Sequence, residues 1–196
     1  METGELAKSI LEGPVVEIGG YPYLVTPLAD GIPRIEPKLL GQAADALVEM
    51  SGLDFDLILA PEAMGIPLAA AISLKTGLPF AVIRKRRYGL PGEIAIGQRT
   101  GYSESVLYVN GVEPGMRVAI VDDLLDTGNT IRALIEGLER NEILVKEVMV
   151  AFNRNSDADA LSEELDVPIR RILDIAVRDG IPEILRSTIL RALRHR

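Results

Sequence analysis

Two adjacent aspartates, Asp122 and Asp123, follow an apolar run in the segment VAIVDDLLDTGNT, residues 118–130. The apolar run predicts a buried strand that ends at Val121, so both carboxylates should emerge at its carboxyl end, where adjacent side chains diverge. Carboxylates in that position can bind sugar hydroxyls or a hydrated Mg²⁺, which prefers carboxylates, waters and phosphate oxygens. We therefore predict a polar ligand site at this strand end.

The turn after the two aspartates, residues 127–130, has the composition of an anion site. Gly128 allows a close backbone approach, and the hydroxyls of Thr127 and Thr130 add donors. If a helix begins here, its first backbone N–H groups and the positive end of its dipole face the anion. The turn predicts a phosphate monoester site. The structural alternative is that the aspartates are turn residues and Thr130 is a helix cap.

A second turn of this kind lies in APEAMGIPLAAA, residues 60–71, where Gly65 is predicted to open a helix towards another anionic group. For Glu62 in this segment, helix capping is the structural alternative. The densest basic run of the chain, RKRR at residues 84–87, follows another apolar strand pattern. Its position at a strand end favours anion binding, although a solvated turn is the ordinary explanation of such a run.

The amino-acid composition excludes several classes of function. The 196 residues fit one domain, and 47% hydrophobic with only 4% aromatic residues suits an aliphatic α/β core. With 21 basic and 29 acidic residues the formal net charge is −8, so no global positive field attracts nucleic acid or an anionic membrane. Without cysteine and with one histidine, thiolate and histidine-cluster metal sites are excluded. The amino terminus has no signal or membrane pattern, and we expect a cytoplasmic protein.

Apolar periodicity predicts an α/β fold, a mostly parallel twisted sheet flanked by helices, with ligands at the carboxyl ends of the strands. The predicted strands are residues 57–60, 80–83, 118–121, 145–152 and 169–173, and the predicted helices are residues 37–50, 66–75 and 130–140. Residues 84–114, rich in Gly, Tyr and charge, predict a long loop. Residues 181–196 predict a basic amphipathic surface helix, for which RNA or membrane contact is the alternative. His195 is expected to be solvated and inert.

The segment at residues 118–130 resembles the signature of the type I phosphoribosyltransferases, which have two acids, three variable residues and then Thr-Gly-x-Thr. The resemblance implies that Asp122 and Asp123 bind the ribose hydroxyls of 5-phosphoribosyl pyrophosphate, and Mg²⁺ through water. It implies a 5′-phosphate site formed by Asp126, Thr127, Gly128, Asn129 and Thr130. In hypoxanthine-guanine enzymes of the mammalian type an Asp at the position of Asp126 transfers a proton at the purine, and the alternative for Asp126 is a turn residue.

Two further segments extend the resemblance. Residues 60–71 resemble the pyrophosphate loop of adenine, xanthine and archaeal hypoxanthine enzymes, and RKRRYGLPGE resembles a segment of adenine enzymes that opens a mobile loop over the active site. This implies pyrophosphate contacts from Ala63, Met64, Gly65, Arg84 and Lys85, a catalytic role for Lys85, and loop roles for Tyr102 and Ser103. Because adenine enzymes often have Arg in place of Met64, the backbone would have to bind pyrophosphate there.

The order of these segments over residues 21–150 resembles the archaeal hypoxanthine (guanine) phosphoribosyltransferases. The resemblance implies a pentosyltransferase of purine salvage that forms IMP or GMP, with Mg²⁺ as cofactor and a homodimeric assembly. It also implies one domain over residues 1–196, with a hood formed by about residues 14–35 and the C-terminal part, and a mobile loop at about residues 84–108.

This chain departs from the archaeal pattern at two places. It has Asp126-Thr127-Gly128-Asn129-Thr130 where those enzymes tend to have Ser-Thr-Gly-Gly-Thr, and Asn-Arg-Asn at residues 153–155 where they have an acid followed by Arg-Gly. The second departure lies near the expected base pocket, so an adenine or xanthine substrate stays open. A non-catalytic sensor of 5-phosphoribosyl pyrophosphate is the other alternative, although no helix-turn-helix pattern precedes the first strand.

Overall fold

The computed structural model describes residues 4–100 and 103–188. The helices are α1 Gly4–Leu11, α2 Pro27–Asp30, α3 Pro37–Met50, α4 Gly65–Thr76, α5 Asn129–Glu139 and α6 Ala158–Leu165. The strands are β1 Val15–Ile18, β2 Tyr21–Leu24, β3 Leu57–Pro61, β4 Phe80–Ile83, β5 Ile94–Thr100, β6 Ser103–Val109, β7 Arg117–Leu125, β8 Leu144–Asn153, β9 Ile169–Arg178 and β10 Ile181–Ser187. In the described part of the chain no helix is both long and apolar enough to cross a membrane.

Six strands form the central sheet in the order β10-β9-β8-β7-β3-β4. The strands from β9 to β4 pair in parallel, and β10 pairs antiparallel with β9. The α/β fold and all five strands predicted from the apolar runs are therefore confirmed. Because parallel strands end at the same edge of a sheet, the segments that follow β3, β4, β7 and β8 meet there.

Both faces of the sheet are covered, which explains why its strands are apolar without a break. Along β7, Ala119 and Val121 join the core beneath α3 and α4, while Val118 and Ile120 join the core beneath α5. All four side chains are fully buried. Helix α5 supplies its apolar stripe at the spacing expected of one helical face, through Ile131, Leu134, Ile135 and Leu138.

Strand β7 is longer than the sequence predicted. It continues to Leu125, and Asp122 pairs in register with Val150 of β8. The two aspartates therefore lie within the last paired residues of β7 rather than after the strand. Pairing with the long strand β8, whose last seven residues are buried, holds these polar residues in an extended conformation.

The prediction of a long loop over residues 84–114 is wrong. This stretch contains β5 and β6, which pair antiparallel, and Ile96, Leu107 and Val109 on them are buried. The hairpin packs on α5, where a Cβ on Gly137 would lie 2.7 Å from Cγ2 of Ile96. Apolar and polar residues alternate only weakly along these two strands, IAIGQRT and SESVLYV, so the sequence pattern did not identify them.

The helix predicted for residues 181–196 is wrong over its first half. Residues Ile181–Ser187 form β10, and Asp179 and Gly180 before it have φ values of 52° and 76°. An Asp-Gly pair with both residues at positive φ is the usual two-residue turn of a β-hairpin, so this dipeptide was the overlooked signal. The remainder, residues 189–196 with His195, lies outside the described residues.

Candidate ligand site at the carboxyl edge of the sheet

The centre of the site is the pair Asp122 and Asp123 near the carboxyl end of β7. Both side chains are half-buried, and Oδ1 of Asp122 accepts a hydrogen bond of 2.9 Å from the backbone N–H of Asp123. The sequence predicted that these two carboxylates face a ligand, and the structure places them between the turns that follow β3 and β7. Their position makes them the central polar groups of the site.

Burial raises the pKa of both carboxyl groups. For Asp123 burial is the largest cause, the negative charge of Asp122 adds to it, and the pKa rises to about 9. Burial also raises the pKa of Asp122. Because the two acids interact, they titrate as a pair that keeps a proton at neutral pH. Cations or hydroxyl donors that bind here would favour the fully ionised pair.

This pair gives a pH-dependent stability. The folded state holds the proton of such a carboxyl group more tightly than the unfolded state does. The free energy of unfolding therefore falls as the pH rises from the unfolded pKa, about 4, through the folded pKa. We therefore expect Asp123→Asn to raise the free energy of unfolding at pH 8 by at least about 1 kcal/mol, roughly 2–4 °C, and to have no effect at pH 4. Thermal unfolding of the ligand-free protein at the two pH values measures this difference.

The control for that measurement is Asp56→Asn. Hydrogen bonds from Arg117 lower the pKa of Asp56, so its substitution should reduce stability above pH 4 rather than increase it. Equal pH trends in the two variants would contradict the assignment of a raised pKa to Asp123.

A third carboxylate, Asp30 at the end of α2, lies close enough to contribute to the raised pKa of Asp123. Asp30 accepts hydrogen bonds of 2.7 Å from the hydroxyl of Tyr23 and from the backbone N–H of Thr26. Burial, followed by the bond to Asp30, raises the pKa of Tyr23 to about 12. Sequence reasoning missed Asp30 and Tyr23, because only tertiary packing brings α2 against β7 and β2 against β9.

The turn after β7 has the geometry of an anion site. Gly128 is the N-cap of α5 with a φ of 77°, and Arg132 donates the first helical hydrogen bond to its carbonyl at 2.9 Å. A residue with a side chain adopts this φ at a cost, which explains the glycine. Since the N-cap is Gly128, Thr130 does not cap the helix by its side chain. The first turn of α5, which starts at Asn129, therefore presents its amino end to the space beside the two aspartates.

The turn after β3 packs directly against the two aspartates. Helix α4 begins at Gly65, and a Cβ on Gly65 would lie 2.6 Å from the backbone oxygen of Val121 and 3.2 Å from Oδ1 of Asp122. Met64 is the N-cap and makes no side-chain capping bond. The peptide bond between Glu62 and Ala63 is cis. This glycine is thus required by packing, and it places a second helix start next to the first.

Glu62 joins this turn to the basic run after β4. Its carboxylate accepts hydrogen bonds of 2.9 Å from Nη1 of Arg84 and 2.8 Å from the backbone N–H of Lys85. The bond from Lys85, followed by that from Arg84, lowers the pKa of Glu62. Glu62 is therefore not a helix cap. It holds the start of the basic run beside the turn at residues 63–65.

A cavity of about 500 Å³ lies between β2, the end of β9 and the segments after β7 and β8. Arg154 donates to Asp126 from Nη2 at 3.2 Å, and Asn155 donates to Asp126 at 2.5 Å. The guanidinium carbon of Arg154 lies 5.2 Å from the centre of the Tyr23 ring. The polar and aromatic side chains that line the cavity are those of Tyr21, Tyr23, Asp126, Arg154, Asn155 and Arg178.

The residues predicted for the site divide into three groups. The structure brings together, at one edge of the sheet, Ala63, Met64, Gly65, Arg84, Lys85, Asp122, Asp123, Asp126, Thr127, Gly128, Asn129 and Thr130. Ser103 is the first residue of β6, and its backbone pairs with Thr100 of β5 rather than belonging to one of these turns. Tyr102 lies outside the described residues.

Comparisons with a family model and with named relatives indicate the same protein family. The family model described as "Phosphoribosyl transferase domain" matches residues 34–175. The hypoxanthine/guanine phosphoribosyltransferase of Methanohalophilus mahii is 46% identical and covers 93% of this chain and 96% of its own length. The protein of the same name from Methanothermobacter thermautotrophicus is 42% identical, with coverages of 90% and 91%.

Solved structures show the same fold. The adenine phosphoribosyltransferase of Thermoanaerobacter pseudethanolicus superposes with a TM-score of 0.72 at 24% identity, over 86% of this chain and 99% of that one. The adenine phosphoribosyltransferase of Rhodothermus marinus gives a TM-score of 0.68 at 22% identity, with coverages of 86% and 97%.

Proposed function

Because this chain belongs to the phosphoribosyltransferase family, we propose that it transfers phosphoribose from 5-phosphoribosyl pyrophosphate to a 6-oxopurine. Hypoxanthine, and guanine as a second base, would give IMP or GMP and pyrophosphate. Relatives at 40–46% identity that carry the name hypoxanthine/guanine phosphoribosyltransferase support the purine choice. The observation that carries the proposal is the half-buried pair Asp122 and Asp123 beside the starts of two helices, α4 at Gly65 and α5 after its N-cap Gly128.

The order of the strands would place the purine and the pyrophosphate on opposite sides of the sugar. The turn after β3 and the basic run after β4 lie on one side of β7, and the cavity beside β8 and β9 lies on the other. A displacement at a carbon atom needs its nucleophile and leaving group on opposite sides. Pyrophosphate on the β3 side and the purine in the cavity satisfy this requirement, with the ribose over the end of β7.

In this arrangement each turn binds one end of the sugar substrate. The 5′-phosphate binds the amino end of α5 at residues 126–130, where backbone N–H groups and the helix dipole favour an anion. Asp122 and Asp123 accept hydrogen bonds from the ribose hydroxyls. As the bond to pyrophosphate lengthens, positive charge develops on the ribose, and two nearby carboxylates stabilise it.

Residues 63–65 and the basic pair Arg84 and Lys85 bind pyrophosphate. Backbone N–H groups at the start of α4 face the leaving group, and Glu62 fixes the basic pair beside them through the hydrogen bonds described above. The ammonium group of Lys85 would neutralise charge that accumulates as pyrophosphate departs, which makes Lys85 a proposed catalytic residue.

Mg²⁺ fits the site as a cation that is shared with the substrate. Among the described residues no group of three or more His, Asp, Glu or Cys side chains is placed to hold a metal ion. Two adjacent half-buried carboxylates with raised pKa values nevertheless favour a cation, and Mg²⁺ usually retains waters and binds substrate phosphates alongside one or two carboxylates. Asp122 and Asp123 would hold it through water, and it would supply charge neutralisation of pyrophosphate.

Asp126 is the proposed proton-transfer group for the purine. Arg154 and Asn155 hold its carboxylate at the edge of the cavity. We expect Asp126→Asn, which keeps the shape but cannot exchange a proton in this way, to lower kcat by about 10²-fold to 10⁴-fold and to remove one limb of the pH–rate profile. Rates measured from pH 5 to pH 10 test this.

The control is Asn155→Ala, which removes one hydrogen bond to Asp126 but leaves the carboxylate. It should retain both limbs of the profile. An unchanged profile in Asp126→Asn would contradict the proton-transfer role and leave Asp126 as a residue of the phosphate turn.

The function itself is tested by incubating the purified protein with 5-phosphoribosyl pyrophosphate, Mg²⁺ and each of hypoxanthine, guanine, adenine and xanthine. IMP or GMP is the expected product. Nucleotide formed only from adenine or xanthine would replace the proposed substrate. Tight binding of 5-phosphoribosyl pyrophosphate without any nucleotide would instead favour the non-catalytic sensor.

We propose three further properties on the strength of the family. The β1–β2 hairpin and α2, together with the C-terminal part, form the hood over the base, and residues 84–108 close over the active site during turnover to exclude water. The single domain over residues 1–196 assembles as a homodimer. The enzyme acts in the cytoplasm, where purine bases are salvaged.

A further inference from the structure

Glu93 has a covered carboxylate directly after a stretch of exposed residues. Residues 85–92 are all exposed, whereas the side chain of Glu93 is only 6% exposed. Its Oε1 accepts hydrogen bonds of 2.9 Å from the backbone N–H of Tyr88 and 3.1 Å from Nδ2 of Asn110. Its Oε2 accepts one of 2.8 Å from the backbone N–H of Gly89. A carboxylate covered in this way loses contacts with water, and the three donors replace them.

These hydrogen bonds join the end of the basic run, residues 84–87, to the end of β6. Two of the donors belong to the two residues that directly follow the run, and the third, Asn110, directly follows β6. Oε2 of Glu93 also lies 3.8 Å from Nε of Arg87, the last residue of the run. One carboxylate therefore fixes the chain after the run to a paired strand.

The start of the basic run is held at the same end of β6. The backbone N–H of Arg84 donates to the carbonyl of Tyr108 at 2.9 Å, and the N–H of Tyr108 donates back at 2.7 Å. In residues 4–100 and 103–188 the ammonium group of Lys85 has no hydrogen-bond or ion-pair partner. The position of that ammonium group therefore depends on how firmly the backbone of the run is held at its two ends.

We propose that Glu93 is a positioning residue for pyrophosphate binding, because it fixes the end of the basic run and so keeps the ammonium group of Lys85 within reach of the pyrophosphate. The inference rests on the proposed function, and it adds a residue that does not itself contact the substrate. Without the carboxylate the run would be anchored only at Arg84. A displacement of about 1 Å at a group that stabilises the reaction can reduce the rate by about 10²-fold.

The test is Glu93→Ala, which removes the acceptor of all three donors. We expect kcat/KM for nucleotide formation, at varied 5-phosphoribosyl pyrophosphate concentration, to fall by about 10-fold to 100-fold. The affinity for pyrophosphate with Mg²⁺, measured by titration calorimetry, should fall by at least about 10-fold. The affinity for IMP, which has no pyrophosphate group, should stay within about 2-fold of the wild type.

Glu93→Gln is the second variant, and it carries the test if the alanine variant does not fold. The glutamine side chain keeps the size and one acceptor oxygen, but its amide N–H₂ would face one of the donors. The same measurements should therefore change in the same direction by a smaller factor.

A double-mutant cycle with Lys85→Ala tests whether Glu93 acts through Lys85. If it does, Lys85→Ala combined with Glu93→Ala should match the pyrophosphate affinity of Lys85→Ala alone within about 2-fold, because a positioning residue has no effect once its target is removed. Losses that simply multiply in the double variant would show independent roles and would overturn the inference.

The matched control is Glu113→Gln, the same chemical change at an exposed glutamate of the segment that follows β6. In the described part of the chain the carboxylate of Glu113 makes no hydrogen bond or ion pair. Its rates and its affinities for pyrophosphate and IMP should stay within about 2-fold of the wild type.

The outcomes separate this inference from the function on which it rests. If the wild type forms no nucleotide from any purine, the proposed function fails, and the pyrophosphate titrations still decide the role of Glu93. If the wild type forms nucleotide while both Glu93 variants keep its rate and its pyrophosphate affinity, the inference is wrong and the function stands. Equal losses of affinity for pyrophosphate and IMP would assign Glu93 to the fold alone and would also overturn the inference.

Discussion

Replacing both carboxylates by amides, Asp122→Asn with Asp123→Asn, should reduce kcat/KM for nucleotide formation on the order of 10³-fold while the protein stays folded. The amides keep the size of the side chains but lose the charges that stabilise a developing positive ribose, and such electrostatic groups typically contribute factors of about 10²-fold to 10³-fold each. Initial rates at varied 5-phosphoribosyl pyrophosphate concentration, with saturating Mg²⁺ and hypoxanthine, measure the loss.

The variant should also be more stable than the wild type at pH 8, because two half-buried acids with raised pKa values are removed. Loss of activity together with a gain in stability is a signature that general damage to the fold does not produce. Full activity in the double variant would refute the assignment of the ribose site to these residues.

The matched control makes the same chemical change at the other end of β7. Asp54→Asn with Asp56→Asn removes two carboxylates that pair with Arg117 at the first residue of the strand. These aspartates are exposed, so their ion pairs contribute little to stability. We expect activity within about 3-fold of the wild type, because a surface pair remote from the ligand site affects neither binding nor chemistry.

Gly65→Ala should reduce both the stability and the activity of the protein. The added methyl group would lie 2.6 Å from the backbone oxygen of Val121, and that oxygen belongs to a strand that is paired on both sides. The start of α4 must therefore move away from β7. We expect a loss of about 1–3 kcal/mol in the free energy of unfolding and a fall in kcat/KM of about 10²-fold, because the pyrophosphate turn is displaced from the ribose site.

The measurements are thermal unfolding and initial rates at varied 5-phosphoribosyl pyrophosphate concentration. Gly41→Ala is the control, since a Cβ on Gly41 meets no atom within 4 Å and the residue lies inside α3. It should gain about 0.5–1 kcal/mol of stability with unchanged rates. If Gly65→Ala keeps wild-type stability and rate, the close approach of the two turns is not required for function.

The fold was predictable because its central strands are apolar on both faces. Continuous apolar runs such as residues 118–121 and 145–152 identified the parallel sheet, and helical spacing identified α3, α4 and α5. Hairpins were not identified, because β5, β6 and β10 each have one solvent-facing side and alternate apolar with polar residues only weakly. For β10 the Asp-Gly turn at residues 179–180 was the available signal.

By itself the sequence determined the family and the local chemistry of each turn. Three local patterns could be interpreted without a structure: two adjacent acids, a glycine at a helix start, and a basic run after a strand. The chemistry of each depends only on neighbours within a few residues. Asp122, Gly65 and Lys85 could therefore be predicted as site residues without a structure, and the structure places them at one edge of the sheet.

Only the tertiary structure decided which distant groups complete the site. Asp30 reaches it from α2 and Tyr23 from the N-terminal hairpin, and Arg154 reaches Asp126 across 28 positions of the chain. The raised pKa of Asp123 likewise follows from burial, which adjacent letters do not encode. Contacts between segments far apart in the sequence depend on how the layers pack, and for this reason only the fold showed which side chains line the cavity beside β8 and β9.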